Sequence, residues 1–458
     1  MTAYVIDWLS LLGRWFHLIV GIAWIGSSFY FVWLDNHLRA PEDPNLSRKG
    51  VGGELWSVHG GGFYNAHKYR VAPEHLPPHL HWFYWEAYST FLSGFFLLCL
   101  LYYAQAEIYL IDPSVAALSK PIAIAIALSF LVGGWLIYDG LCRTPLARNG
   151  TAMGGVLAVL LSAAAWGLCH LFSGRGAFIQ FGAMLGTIMV ANVFFVIIPG
   201  QREMVRAKRE GREPDPQHGI RGKLRSTHNT YFTLPVLFTM ISNHYAITYG
   251  AAYNWLVLIA ISMAGVLIRV YFVSRHKAHE RNGHTSPLPA VLGVITLAAV
   301  AFVLAPRGSG SSLVAGGAMN DGTQASNVAS GMRDGHHAGV ATGATHSGGA
   351  APNGHGTSAR SRAADASAIG PAGATQFARV QAIVAQRCVP CHAATPTQPG
   401  FTAAPSGVLL DSPDHILRRA TQIHLQVATR AMPLGNLTGI TEEERATMLA
   451  WIEHGAPH

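Results

Sequence analysis

Cys388-Val389-Pro390-Cys391-His392 stands near the end of the chain and decides how its last part folds. Two cysteines two residues apart, followed at once by a histidine, let the thiols bond the vinyl groups of a haem, and His392 then becomes the proximal iron ligand. A bare Cys-x-x-Cys is ambiguous between zinc, a redox dithiol and haem; the adjoining histidine narrows it to a covalent haem c. The flanking residues, 376–458, suit a small class I cytochrome c domain. A helix through Phe377, Val380 and Ile383-Val384 leads into the motif. Thr441-Glu442-Glu443-Glu444 forms a capping box that opens the last helix, which runs through Met448, Leu449 and Trp451-Ile452 to a stop at Gly455. Between them, Ala431-Met432-Pro433 is the setting of a methionine axial ligand, weighed against a core methionine. A His392/Met432 pair raises the reduction potential and suits an electron acceptor.

Working outward, residues 307–375 are Gly, Ala, Ser, Thr and His with almost no bulky apolar side chain, which predicts a flexible linker. His336, His337, His346 and His355 lie in it as solvated low-complexity sequence rather than a metal site.

Before the linker the composition changes character. The 458 residues are 50 % hydrophobic and only 12 % charged, against about 25 % charged in an average soluble protein, which implies a membrane protein. Eight mostly apolar spans are long enough to cross a bilayer: 8–35, 82–103, 119–140, 151–172, 177–199, 230–249, 252–274 and 287–306. The fold expected is therefore all-α: an eight-helix transmembrane bundle over 1–306, the linker, and the cytochrome domain. The N-terminus lacks a basic n-region and a cleavage site, so the first span is read as a retained helix. The net charge of +8 does not imply nucleic acid, because most of the excess sits in alternate loops. The connections 36–81, 141–150, 200–229 and 275–286 hold 18 Lys and Arg, Lys68 and Arg225 among them, whereas the opposite loops contribute only Arg175, plus Lys120 at a helix entrance. The positive-inside rule makes these loops cytoplasmic and turns both termini outward. Covalent haem attachment in the bacterial periplasm requires the same orientation, so the expected location is the inner membrane with the cytochrome part in the periplasm. Cys99, Cys142 and Cys169 are expected to be packing residues.

Ionisable residues inside a bilayer are costly and worth a functional reading. Arg14, His17, His170 and Asn243-His244 fall toward the periplasmic side; His81, Glu86, Asp139, His228-Asn229 and Arg269 fall toward the cytoplasmic side. Gly13, His17, Gly21, Trp24 and Ser28 form one stripe of the first helix. Several histidines at matching depth favour a haem b held by His17 and His244, with His170 as substitute and Arg14 against a propionate; close helix packing is the bland alternative. His228 and His244 are 16 residues apart, about 24 Å along a helix, so they cannot serve one iron. In the first cytoplasmic loop, His59-Gly60-Gly61-Gly62-Phe63-Tyr64-Asn65-Ala66-His67-Lys68 reads equally as a cradle for a small planar anion or as ordinary turns.

These residues also carry a family resemblance. The run from His17-x3-Gly21-x2-Trp24-x-Gly26 through Gly60-Gly-Gly-Phe-Tyr64, Trp85-Glu86-Ala87 and Thr233-Leu-Pro235 to Ser242-Asn-His244 resembles the membrane-bound urate hydroxylases. Those bacterial proteins couple an eight-helix membrane domain to a C-terminal cytochrome c. The His-x3-Gly-x2-Trp segment is also similar to the four-helix type of protoporphyrinogen oxidase. The first resemblance implies oxidation of urate to 5-hydroxyisourate, with oxygen from water and electrons leaving through the cytochrome to a respiratory cytochrome oxidase or a soluble cytochrome c. It carries over no catalytic residue. On that reading urate binds near the cytoplasmic side among His59, Asn65, His67, Lys68, His228 and Glu86, with Glu86 or a histidine as base. The rival reading is a quinol-to-cytochrome relay with no purine chemistry.

Overall fold

The computed structural model describes residues 2–279, 285–305, 371–399, 401 and 404–457. Most of the predicted linker therefore lies outside the described residues, as do its four histidines. The chain is mostly helical. It begins with α1 (Thr2–His37) and the short α2 (Pro44–Arg48), capped by the Asp43 side chain, which accepts from the Asn45 amide.

The all-α expectation needs one correction here. β1 (Val51–His59) and β2 (Gly62–Tyr69) form an antiparallel hairpin, in register from Gly53↔Lys68 to His59↔Gly62. Gly60 and Gly61 make its two-residue turn with φ of +58° and +81°, a conformation that glycine adopts without steric cost. The glycine-rich run is thus the turn of a hairpin.

Then come α3 (Trp85–Leu97), continued by a π-helical turn to Tyr103, and α4 (Ala106–Tyr109). Next are α5 (Lys120–Arg143), α6 (Gly150–Leu171) and α7 (Gly174–Ala191), the last continued by a π-helical turn at Asn192–Ile197 into α8 (Ile198–Arg209). The series continues with α9 (Pro216–Ser242), α10 (Ala246–Tyr249), α11 (Asn254–His279) and α12 (Leu288–Val303). Among the described residues, six helices are long and apolar enough to cross a membrane: those containing α1, α3, α5, α6, α7 with α8, and α11. The other two expected spans are helices of a different kind. α9 has 27 residues but is rich in polar side chains, and α12 is apolar but 16 residues long.

α7 is the axis of the bundle. Twelve of its 18 residues are buried, packed by α5, α6 and α9. Buried Gln180 donates from Nε2 to the Ala127 carbonyl at 2.7 Å, so its polarity is satisfied. The outside is apolar as well: Trp15, Phe16, Ile19 and Ile22 of α1 are all more than half exposed.

The sixth expected span starts earlier than its hydropathy suggests. Asp215 accepts from the Gln217 amide as N-cap and Pro216 takes the first helical position, so α9 begins 14 residues before residue 230. This corrects Arg225, read as a loop cation; it lies within α9 and is 4 % exposed.

The C-terminal residues form their own core from α13 (Pro371–Arg387), α14 (Val389–His392), α15 (Pro413–Arg418), α16 (Ala420–Ala428) and α17 (Glu442–Glu453). Phe377 stacks on Trp451 with ring centroids 5.2 Å apart, over Val380, Val384, Ile423 and Met448. The capping box at Thr441 and Glu444 is present as expected.

Candidate functional site: an ion-lined cavity and a histidine–thiol turn

A cavity of about 1130 Å³ opens among α1, the base of the hairpin, the start of α3, α8 and α9. Five Lys and Arg side chains line it (Arg39, Lys68, Arg70, Lys208 and Lys223) against two carboxylates, Asp35 and Glu86. At its edge Asp35 bridges two elements, 2.6 Å from Lys68 Nζ and 3.5 Å from Lys223 Nζ. Glu86 Oε2 and Asn36 Nδ2 are buried without a hydrogen-bond partner. Unpaired buried polar atoms are costly and uncommon, and here both belong to residues that line a cavity.

Of the six residues grouped from sequence, two line this cavity, Lys68 and Glu86. His67 lies beside it on the hairpin, with Nε2 3.6 Å from Glu54 Oε2. His59 ends β1 at the turn, and Asn65 pairs with Trp56 across the hairpin. His228 faces the other way, toward α5, where its Nδ1 lies 2.8 Å from the Tyr138 hydroxyl.

Sequence reasoning missed the lattice behind the α9 wall. Arg225 donates to Asp139 at 2.6 Å and to Asn192 Oδ1 at 3.2 Å, and Arg143 reaches the second Asp139 oxygen at 2.7 Å. The Arg225 guanidinium also lies over the rings of Tyr138 and Trp135, at 5.1 and 5.8 Å. Asn192 Nδ2 donates to Asn229 Oδ1 at 2.8 Å, while Asn229 Nδ2 donates to the Met189 carbonyl at 3.0 Å. Asn229 lines the cavity, but both ends of its amide are already engaged. It is therefore wall rather than ligand reader.

His17 occupies the contact between α1 and α3. Its Nδ1 lies 2.9 Å from Ser93 Oγ, whose own proton goes to the Ser89 carbonyl at 2.7 Å. The ring also bonds to the Thr90 backbone, so Ser93 and Thr90 of α3 together hold the imidazole in place. The approach is tight: a Cβ at Gly94 would stand 2.8 Å from His17 Cε1. Arg14 is exposed, and so is His244 in the turn after α9. His170 turns Nδ1 back to the Trp166 carbonyl at 2.7 Å. Among the described residues no hydrogen bond or ring contact joins His17 to His244.

In the C-terminal core, one helical turn carries both thiols and the histidine. Cys388 and Cys391 are free, and burial pushes the Cys388 thiol up to about 12 and raises that of Cys391. His392 donates from Nδ1 to the Val408 carbonyl at 2.9 Å, which orients the ring and presents Nε2 as an acceptor. The carbonyl of Met432 accepts from Arg445 Nη1 at 2.9 Å and its amide donates to the Gln426 carbonyl at 3.1 Å, so the methionine loop is pinned at both ends. Free thiols on one turn with a carbonyl-oriented imidazole are a donor set that fits a covalently held haem.

The first part of the chain is thus a helical bundle with a cation-lined cavity at one end. Residues 3–305 match the urate oxidase N-terminal family, and the chain belongs to that family. The match stops before the C-terminal core. No curated protein and no solved structure matches the chain.

Proposed function

We propose that the chain is a membrane-bound urate-oxidising enzyme, converting urate to 5-hydroxyisourate and passing the electrons to a haem c in its C-terminal core. The observation that carries the reading is the cation-lined cavity inside a bundle of the urate oxidase N-terminal family. Urate is a planar anion, and a cavity with five cations against two carboxylates favours that charge. The apolar exterior of α1 and the six long apolar helices support a bilayer as solvent.

In the reaction, urate and water give 5-hydroxyisourate, two protons and two electrons. Lys68, with Lys223 and Arg39 in the same wall, holds the anion. Glu86 accepts a proton as a carbon–oxygen bond forms from water. His67 and His228, grouped from sequence with these two, act outside the cavity wall, at the hairpin and against α5. Cys388, Cys391 and His392 would hold the haem c, with Met432 as sixth ligand; that group supplies one-electron acceptance. His17, at the contact of α1 with α3, is the candidate ring for a haem b toward the periplasmic side; among the described residues no hydrogen bond or ring contact brings His244 to it. Adding urate to the purified oxidised full chain without oxygen tests the reading. Two equivalents of haem c should be reduced for each urate consumed. Reduction by a quinol and none by urate would sink the proposal and leave the electron relay.

A further inference from the structure

The C-terminal core meets the bundle at two points where backbone touches backbone. Gly435, in the loop after Met432, has φ of +55°, and a Cβ there would stand 2.8 Å from the Ile108 carbonyl and 3.1 Å from that of Ile111. A Cβ on Gly250, just after α10, would overlap the Thr429 carbonyl. Only glycine fits either place without a shift. Charge follows the same line. Arg445, which donates to the Met432 carbonyl at 2.9 Å, lies within electrostatic reach of the Glu442 and Asp112 carboxylates; Asp112 belongs to the bundle side.

Beneath these contacts lies a cluster that the proposed chemistry does not use. Tyr109 ends α4 and its ring is 6.0 Å from that of Tyr102; the Arg175 guanidinium sits 5.1 Å over Tyr109. Tyr102 OH, Arg175 Nε and Asn243 Oδ1 are buried together, and the Tyr102 hydroxyl faces the Arg175 and Asn243 side chains.

We propose that this surface is the electron hand-off face of the chain: the 429–435 loop docks on Glu107–Asp112 and Gly250, placing the Met432 side of the haem site over the Tyr102–Tyr109–Arg175 cluster. The proposal rests on the haem c reading. A haem c held there would accept single electrons leaving the bundle through this face. Docking by backbone approach explains why glycines occupy both contact points.

A cysteine pair tests the contact without using activity. In the full chain, Glu107→Cys with Leu434→Cys, which flank the Gly435 contact and leave both glycines in place, should be joined by a short disulfide-containing thiol cross-linker. After cleavage at a protease site inserted within residues 306–368, the two fragments should migrate together until reduced, while either single variant should separate. Gly435→Glu should slow urate-driven reduction of haem c at least tenfold, with haem content and dithionite reduction unchanged. Asp112→Lys, which leaves the methionine loop untouched, should slow it severalfold at low ionic strength. Failure to cross-link, or wild-type rates in both variants, overturns the docking face. A cross-link in a protein that urate cannot reduce keeps the docking face and overturns the substrate.

Discussion

The two sides of α9 treat polar groups in opposite ways. On the side facing α5 and the π-helical turn, Arg225, Asp139, Asn192, Asn229 and Tyr138 form a lattice joined by short hydrogen bonds. On the cavity side, Lys68 and Lys223 share one carboxylate, and buried atoms of Glu86 and Asn36 lack partners. A satisfied network specifies structure, whereas unsatisfied groups around a void are placed for something that enters. The difference assigns the lattice to architecture and supports the cavity as the site of the proposed chemistry.

Breaking the lattice should have the largest effect. Arg225→Ala leaves Asp139 in the bundle with only Arg143, which is 76 % exposed, as a partner. Removing one member of a buried ion pair costs about 3–5 kcal/mol. Thermal unfolding in detergent should show that loss. An Arg225→Ala protein as stable as the parent would mean that the lattice does not hold α5 and α9 together.

The cavity should respond in rate rather than in stability. Glu86→Gln removes the proposed base while keeping its shape, and kcat for urate should fall roughly a hundredfold or more. Urate binding measured by calorimetry should change little. An unchanged kcat would move the base elsewhere. Lys68→Ala should act on binding, raising KM about tenfold, or ~1.4 kcal/mol, with kcat within about twofold. Lys68→Arg should restore most of the affinity. If Lys68→Ala instead lowers kcat and leaves KM alone, its charge acts on the transition state and the division of labour with Glu86 is wrong.

How much of this was legible depended on how the information lies along the chain. Cys388 to His392 are five consecutive residues, and the structure sets them on one helical turn. The apolar helices were equally plain, since crossing a bilayer demands about 20 apolar residues in a row. α9 misled because hydropathy marks apolar length rather than helix. The Asp215-Pro216 start signal was present, and reading it would have moved Arg225 into the helix beside Asp139. Gly60-Gly61 between Trp56, Val58, Phe63 and Tyr64 carries a hairpin signal, which neither an anion cradle nor a loop of ordinary turns, the two readings weighed for this run, takes up. The cavity was legible only in part. Glu86 was found by depth and Lys68 in the glycine-rich loop, but Asp35, Asn36 and Lys223 come from α1 and α9, and no spacing rule joins residues 35 and 223. Asn192 lies in a π-helical turn, which no pattern in the chain announces.

A wet counterpart of the buried pair sharpens the comparison with the smallest effect. Arg387 Nε and Nη2 hold both oxygens of Glu444 at 3.0–3.1 Å, with side chains 25 % and 21 % exposed. Burial alone would raise the Glu444 pKa, but Arg387 and the Thr441 amide outweigh it and hold the carboxyl below its ordinary value. A depressed carboxyl contributes stability above its unfolded pKa, about 4.3, and that stability is lost as pH falls through the lower folded value. Glu444→Gln keeps the capping shape and removes only the charge. Near neutral pH it should cost about 1 kcal/mol, read by hydrogen exchange of the α17 amides. The gap from the parent should narrow as pH falls below about 4.3. A loss as large as that of Arg225→Ala would mean that solvent access is not what separates the two pairs. A gap that stays constant with pH would assign the effect to shape rather than charge.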